Sequence, residues 1–174
     1  TSSAAVYQNS TNSVDETSST KPLSPYGQSK LDMEKITIQS KINYSILRLF
    51  NVYGNGQTTG VIVNFEKNIL ANKPLIIFGD GEAIRDFIHI DDVVDGIILS
   101  MKSASGIYNI ASGNGTSIAD LAKLLIELSG KNSKIVYQPA RKGEVIYSVS
   151  DITKSQNELG FNPKILLNDG LKTL

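Results

Sequence analysis

The 174-residue sequence contains no cysteine and no tryptophan, a single histidine (His89), two methionines and five prolines. Without cysteine there is no disulfide framework, no thiolate metal site and no thiol nucleophile, and the composition fits a reducing cytosol, so a cytoplasmic location is the expectation. One histidine excludes a multi-histidine metal centre. An excess of either charge is also lacking. Seventeen basic residues balance seventeen acidic ones, which leaves no electrostatic footprint for a nucleic-acid partner. No apolar run approaches the roughly 20 residues of a membrane-spanning helix, and Thr1 to Asn12 does not read as a signal peptide, so no membrane partner is expected. A complete glycine-rich dinucleotide loop is missing too. Gly54-x-Gly56, Gly79-x-Gly81 and Gly113-x-Gly115 each begin the G-x-G-x-x-G pattern, but the third glycine position holds Thr59, Ile84 and Ile118. All three are more simply turns and helix entries.

What is present describes an ordinary globular chain of one or two domains, 40% hydrophobic and 20% charged. Its most informative stretch is Tyr26-Gly27-Gln28-Ser29-Lys30. Ser24 is a good N-cap and Pro25 suits the first helical position, so a helix starts here. A spacing of four puts the phenol and the ammonium on one face of that helix, one turn apart. Phenolate is scarce at neutral pH unless a positive charge favours it, and a lysine one turn away supplies that charge. Such a pair can exchange a proton with a substrate hydroxyl. Taken alone, the pair is equally an aromatic ring packed on an aliphatic stem.

Along the chain, Thr1 to Tyr7 is strand-compatible and residues 8 to 24, rich in Ser, Thr and Asn, read as a loop that is mobile unless something holds it. A helix over Pro25 to Lys41 leads to an apolar strand over Tyr44 to Phe50 and a turn over Asn51 to Gly56. Further helices are expected over Val61 to Ala71, Asp92 to Met101 with Asp91 as cap, Ile118 to Leu128, Asp151 to Leu159 and from about Leu167. Strands are expected over Leu75 to Phe78, Arg85 to Ile90, Gly106 to Ile110 and Lys134 to Gln138, with Arg141 to Glu144 a charged turn. This alternation is the rhythm of an α/β protein.

Ser2-Ser3-Ala4-Ala5-Val6-Tyr7, Ser24-Pro25-Tyr26-Gly27-Gln28-Ser29-Lys30, Arg48-Leu-Phe-Asn-Val-Tyr-Gly54, Phe78-Gly-Asp-Gly81 and Arg85-Asp-Phe-Ile-His-Ile-Asp-Asp92 occur in this order. The series resembles the extended short-chain dehydrogenase/reductase family, and within it the NAD-dependent nucleotide-sugar epimerases of the UDP-glucose 4-epimerase type. The resemblance covers essentially the whole chain. It implies the C-terminal portion of a doubly wound NAD-binding Rossmann-type fold plus a small α/β substrate-binding domain. Residues 1–56 would be a remnant of the NAD-binding domain and 57–174 mainly the substrate domain, with a segment of about 84–110 returning to the Rossmann sheet. Several βαβ units, on the order of 100 residues, would precede Ser3 and carry the NAD pyrophosphate site. The 174 residues alone would then be inactive.

The same resemblance implies roles. Ser3, Tyr26 and Lys30 would form the catalytic group, with Tyr26, Lys30 and Phe50 also on the NAD cofactor. Tyr26 would take the proton of the sugar 4-hydroxyl, Lys30 would hold the nicotinamide ribose and favour the phenolate, and Ser3 would hydrogen-bond the reacting oxygen. Asn51, Arg85 and Arg141 would bind the diphosphate, Glu144 a ribose hydroxyl, and Ile76 and Phe78 would lie near the uracil. Alternatives are a surface pair of Arg141 with Glu144 and a structural pair of Arg85 with Asp86. Ala4 and Ala5 stand where family dehydratases and decarboxylases carry acidic residues, and alanine exchanges no proton, so epimerisation is favoured over elimination. A small Ser148 near the sugar suggests a pocket that admits N-acetylated hexoses. His89 is expected to be structural and Asp91 and Asp92 to be helix caps rather than metal ligands. The expected partners are a UDP-sugar and a second copy of the chain, pairing through the Tyr26 helix and its Leu31, Ile38 and Ile42. The rival expectations are another nucleotide-sugar epimerase or reductase, such as one acting on UDP-glucuronate, and a non-catalytic nucleotide-sugar binding module.

Overall fold

The computed structural model describes residues 1–103, 105–141, 143 and 145–174. Strand β1 (Ser2–Ser3) runs into a single 3-10 turn, Ala4–Val6, capped by Ser3. Helix α1 (Pro25–Gln39) starts where the Ser24 hydroxyl accepts the Gly27 N–H at 3.1 Å and proline takes the first helical position. It stops at Gln39 rather than Lys41, whose φ of 59° is left-handed. There follow β2 (Ser45–Leu49), β3 (Asn51–Tyr53), α2 (Val61–Leu70), β4 (Leu75–Phe78), β5 (Ile84–His89), α3 (Ile90–Ser100), β6 (Gly106–Ile110), β7 (Gly115–Ser117), α4 (Ile118–Ser129), β8 (Ile135–Gln138), β9 (Tyr147–Ser148), α5 (Thr153–Leu159) and α6 (Leu167–Leu171).

Three sheets organise these elements. β1, β2 and β6 are parallel in that order, with Ser3 opposite Leu49 and Leu49 opposite Ile110. β5 lies between β3, parallel to it, and β7, antiparallel, and β9 also pairs with β5. β4 and β8 make a separate parallel pair. Of the 84–110 segment, only Gly106–Ile110 therefore joins the β1–β2 sheet. Ile84–His89 belongs to the second sheet, because the chain steps across after Phe50 and Asn51–Tyr53 takes β5 as its partner. For the same reason Asn51–Tyr53 is a strand and not the turn expected there.

Each layer has its own core. Ile62, Phe65 and Ile69 of α2 and Leu121, Ala122 and Leu125 of α4 pack with Leu75 and Ile77 of β4. Leu47, Tyr108 and Ile110 meet Val93, Leu159 and Phe161. Val6, Tyr7, Val14, Phe50 and Ala111 form the third cluster, with Leu31 of α1 against it. Leu31 thus faces inward, while Ile38 and Ile42 are exposed, so the three do not form one outward stripe.

Two further expectations change. The 8–24 segment is held by its own chain. Gln8 N–H donates to Ser19 O at 2.9 Å, Val14 N–H to Val149 O at 3.0 Å and Asp151 N–H to Val14 O at 2.9 Å. Helix α3 is capped not by Asp91 but by His89, whose Nδ1 accepts the Asp91 N–H at 3.2 Å. His89 also meets Tyr53 edge-on at 5.3 Å, a structural role as expected. Asp92 is buried and its carboxylate accepts the Lys164 and Ile165 N–H groups, which ties down the chain ahead of α6.

Candidate active site

Parallel α/β sheets bind ligands beyond the carboxyl ends of their strands, where loops diverge and backbone N–H groups are free. Here that edge carries a cavity of about 280 Å³. Ser3 at the end of β1, Leu49 and Phe50 at the end of β2, and Ala4 and Ala5 form its floor, and Tyr147 and Ser148 of β9 face them. Gln8 and Asn9 complete it from the start of the stitched loop. A second cavity of about 580 Å³ lies between α2 and β4, lined among others by Ile76, Phe78, Lys67 and Arg141. Asn51 and Arg85 border both cavities. The two are therefore neighbours across one polar threshold.

Local sequence explains each placement. Ser3 accepts the Ala5 N–H at 3.2 Å, so the 3-10 turn fixes its rotamer at the cavity. Asn51 donates from Nδ2 to the Asp86 carbonyl at 3.0 Å, and Arg85 donates to the Ile84 carbonyl at 2.9 Å. Asp86, fully buried, accepts from Ser112 N and Oγ on one oxygen and from Gly113 N and Ser150 N on the other, clamping the loops behind β9. Burial pushes the Asp86 carboxyl up, against these hydrogen bonds, which favour the anion. The Arg141 guanidinium stacks over the Phe78 ring, 3.7 Å from its centroid. Stacking holds the cation while leaving its edge free for an anion.

Of the residues singled out in the sequence, Ser3, Phe50, Asn51, Arg85 and Ser148 meet in the first cavity, and Asn51, Ile76, Phe78, Arg85 and Arg141 in the second. Tyr26 and Lys30 line neither. They sit in the first two turns of α1, beyond Ser24 of the cavity wall, with the Lys30 ammonium 5.8 Å from the Tyr26 ring centroid and donating to the Thr1 carbonyl at 3.2 Å. Tyr26 is 56% exposed. Glu144 lies outside the described residues. The lining residues Gln8, Asn9, Tyr147, Asn64, Lys67 and Asn68 escape sequence reasoning. Only the last three carry a signal, a polar stripe at i, i+3 and i+4 on the amphipathic α2. Among the described residues there is no group of His, Cys, Asp and Glu that could hold a metal ion, and no helix is long and apolar enough to cross a membrane.

Comparison with known proteins agrees with this architecture. Residues 1–111 match the NAD dependent epimerase/dehydratase family. The chain belongs to that family. Among solved structures, the UDP-glucose 4-epimerase of Thermotoga maritima with UDP-glucose superposes at a TM-score of 0.92 with 37% identity, over 99% of this chain and 59% of that one. The UDP-glucuronic acid 4-epimerase of Bacillus cereus, in complex with UDP-glucuronic acid and NAD, gives 0.92 and 33%, over 99% and 58%. The dTDP-L-rhamnose 4-epimerase of Burkholderia thailandensis is 34% identical over 166 residues, 88% of this chain and 46% of that protein. The chain spans about half the length of the curated relatives it matches. These three epimerase relatives share position 4 in their names and differ in sugar and base.

Proposed function

We propose that the chain supplies the proton-transfer and substrate-binding half of an NAD-dependent nucleotide-sugar 4-epimerase acting on a UDP-sugar. The observation that carries this reading is the pair of cavities bordered in common by Asn51 and Arg85. A sugar suits the smaller cavity beside Ser3, a nucleoside the larger one beside Ile76 and Phe78, and the diphosphate between them meets Arg85 and, from the far side, Arg141. Arginine's planar fork suits phosphate oxygens.

The strand ends at Ser3 and Phe50, with Lys30 nearby, fit the nicotinamide end of NAD, whereas these 174 residues contain no glycine-rich turn for its pyrophosphate. When bound, NAD supplies the hydride acceptor and donor for C4. The chain's own residues handle the proton. Tyr26 takes it from the 4-hydroxyl and later returns it, Ser3 hydrogen-bonds the reacting oxygen, and Lys30 favours the phenolate. Loss of the C4 hydride and the hydroxyl proton leaves a 4-keto sugar. Because Ala4 and Ala5 beside Ser3 offer no acid or base for elimination, that sugar turns over and takes the hydride and the proton back on its other face, which inverts C4. Ser148, small and on the cavity wall, leaves room for an N-acetylated hexose. Exposed Ile36, Ile38 and Ile42 offer apolar surface for a homodimer.

Tyr26→Phe in the full-length protein tests the reading. Interconversion of UDP-galactose and UDP-glucose should fall at least 100-fold while UDP-sugar affinity stays within about threefold. Unchanged turnover would remove Tyr26 from the chemistry. UDP-N-acetylgalactosamine and UDP-glucuronate run alongside decide the sugar, and no activity on the acetylated sugar sinks the inference from Ser148.

A further inference from the structure

Helix α1 carries the proposed proton-transfer pair, yet it is docked in an unusual way for a helix lying on a sheet. Its fully buried residues are Gly27, which has no side chain, and Glu34, which has a carboxylate. Lys30, Leu31, Met33 and Thr37 are half-buried beside them. Apolar packing is non-directional and lets a helix slide or roll by a fraction of a turn, and here there is little of it. The direction comes from Glu34. Oε1 accepts the Arg48 Nε–H at 3.0 Å and the Ser2 hydroxyl at 2.5 Å, and Oε2 accepts Arg48 Nη2 at 2.7 Å. The remaining guanidinium nitrogen, Nη1, donates to the Glu16 carbonyl at 3.3 Å, and the guanidinium lies 4.8 Å from the Tyr7 ring centroid. Tyr7 in turn donates to Asn109 Oδ1 at 2.6 Å, and the Asn109 N–H donates to Glu16 Oε1 at 2.6 Å.

We propose that the Glu34–Arg48 fork is the positioning device of the active site. It sets the rotation and height of α1 on the sheet, and with them the placement of Tyr26 and Lys30 relative to Ser3. The inference rests on the role proposed above for those residues. Two features give it force. The fork bonds bidentately in one plane, so a slip of α1 by even about 1 Å breaks at least one of its bonds. The same carboxylate oxygen also holds Ser2, the neighbour of Ser3, so a single atom references both the helix and the serine strand. Glu34 lies one turn beyond Lys30 and two beyond Tyr26, about 12 Å along the axis from Tyr26, and a rigid helix transmits its setting over that distance. A buried ion pair contributes little net stability compared with apolar residues of similar volume, so its worth here is geometric.

That distinction supplies the test. The double variant Glu34→Leu with Arg48→Met fills the same volume without the fork, and Glu34→Gln keeps the shape while losing the charge. Three quantities are measured in the full-length protein: melting temperature, kcat and KM for UDP-galactose, and amide hydrogen exchange over 27–31 with 121–125 of α4 as reference. For the double variant we expect a melting temperature within a few degrees of wild type, KM within about twofold, kcat lowered about 100-fold, and exchange over 27–31 raised about tenfold while α4 is unchanged. Glu34→Gln should show the same pattern at smaller amplitude. A folded double variant with wild-type kcat and wild-type protection of 27–31 overturns the proposal. Should the double variant not fold, Glu34→Gln decides alone, and wild-type kcat and exchange there overturn it equally. If wild type itself shows no turnover, the functional reading fails, and the exchange at 27–31 still tells whether the fork sets α1.

Discussion

The clamp formed by Asp86 can be removed with almost no change of shape by Asp86→Asn. In the native chain Oδ1 accepts Ser112 N at 2.8 Å and Ser112 Oγ at 2.6 Å, and Oδ2 accepts Gly113 N at 3.0 Å and Ser150 N at 3.2 Å. An amide keeps one acceptor oxygen. With its NH2 in the Oδ2 place it faces the Gly113 and Ser150 N–H groups, and with its NH2 in the Oδ1 place it faces the Ser112 N–H and a Ser112 hydroxyl that can rotate to accept. At least one hydrogen bond is therefore lost outright, the others lose their charged acceptor, and a donor is set against a donor in a site with 0% exposure. Hydrogen bonds to charged groups are worth about 1.5–3 kcal/mol each. They do not add fully, and asparagine recovers the desolvation that pushes the Asp86 carboxyl up. A net loss of about 3 kcal/mol follows, equivalent to roughly 6–12 °C in melting temperature for a chain of this size. Urea denaturation followed by far-ultraviolet circular dichroism should show a lower midpoint at an unchanged m-value. A loss below about 1 kcal/mol would refute the clamp.

Three other outcomes follow from the same kind of reasoning. Burial pushes Tyr7 up to about 12, and burial together with the Asp92 and Asp169 charges pushes Tyr53 up to about 12. Both folded values lie above the unfolded 10.0, so the unfolded chain releases these protons first. Stability is intact below pH 10 and is lost as pH rises from 10 towards 12, which alkaline melting curves will show. The Tyr53 hydroxyl is buried with no hydrogen-bond partner among the described residues. Tyr53→Phe should therefore be neutral to about 1 kcal/mol stabilising at pH 7 and should soften the alkaline loss; a destabilisation above about 1 kcal/mol would contradict the orphaned hydroxyl. A Cβ on Gly27 would run into the Ala5 carbonyl oxygen. Backbone cannot swing aside, so Gly27→Ala, which gains up to about 1 kcal/mol in an open helix, should instead cost about 2 kcal/mol here, and a variant as stable as wild type would argue against this close approach.

Much of this architecture was written in local chemistry. Ser24-Pro25 marks the start of α1, Gly130 stops α4 in the left-handed region at φ 63°, and the apolar runs Leu75–Phe78 and Gly106–Ile110 are strands with the bounds the sequence suggests. Asn51–Tyr53 was not legible as a strand, because three residues between a strand and a glycine turn look like a loop until β5 supplies a partner 36 residues away. The cap of α3 differs from the expected Asp91 for a related reason. Asp91 is the better capping residue in isolation, but β5 carries its extended backbone through His89, and the imidazole Nδ1 takes the N–H instead.

The sequence by itself determined the helices, the strands β2, β4, β5, β6 and β8, and the resemblance carried by five ordered motifs, since caps, turns and periodicity act within a few residues. Only the tertiary structure decided that Asn51 and Arg85 stand between two cavities, that the 8–24 segment is stitched to β9, and that Glu34 is the buried charged side chain of the helix of Tyr26 and Lys30. Each of these joins residues far apart in the chain. A glutamate at position 34 reads as surface charge until the fold brings Arg48 and Ser2 within hydrogen-bonding distance and shuts water out.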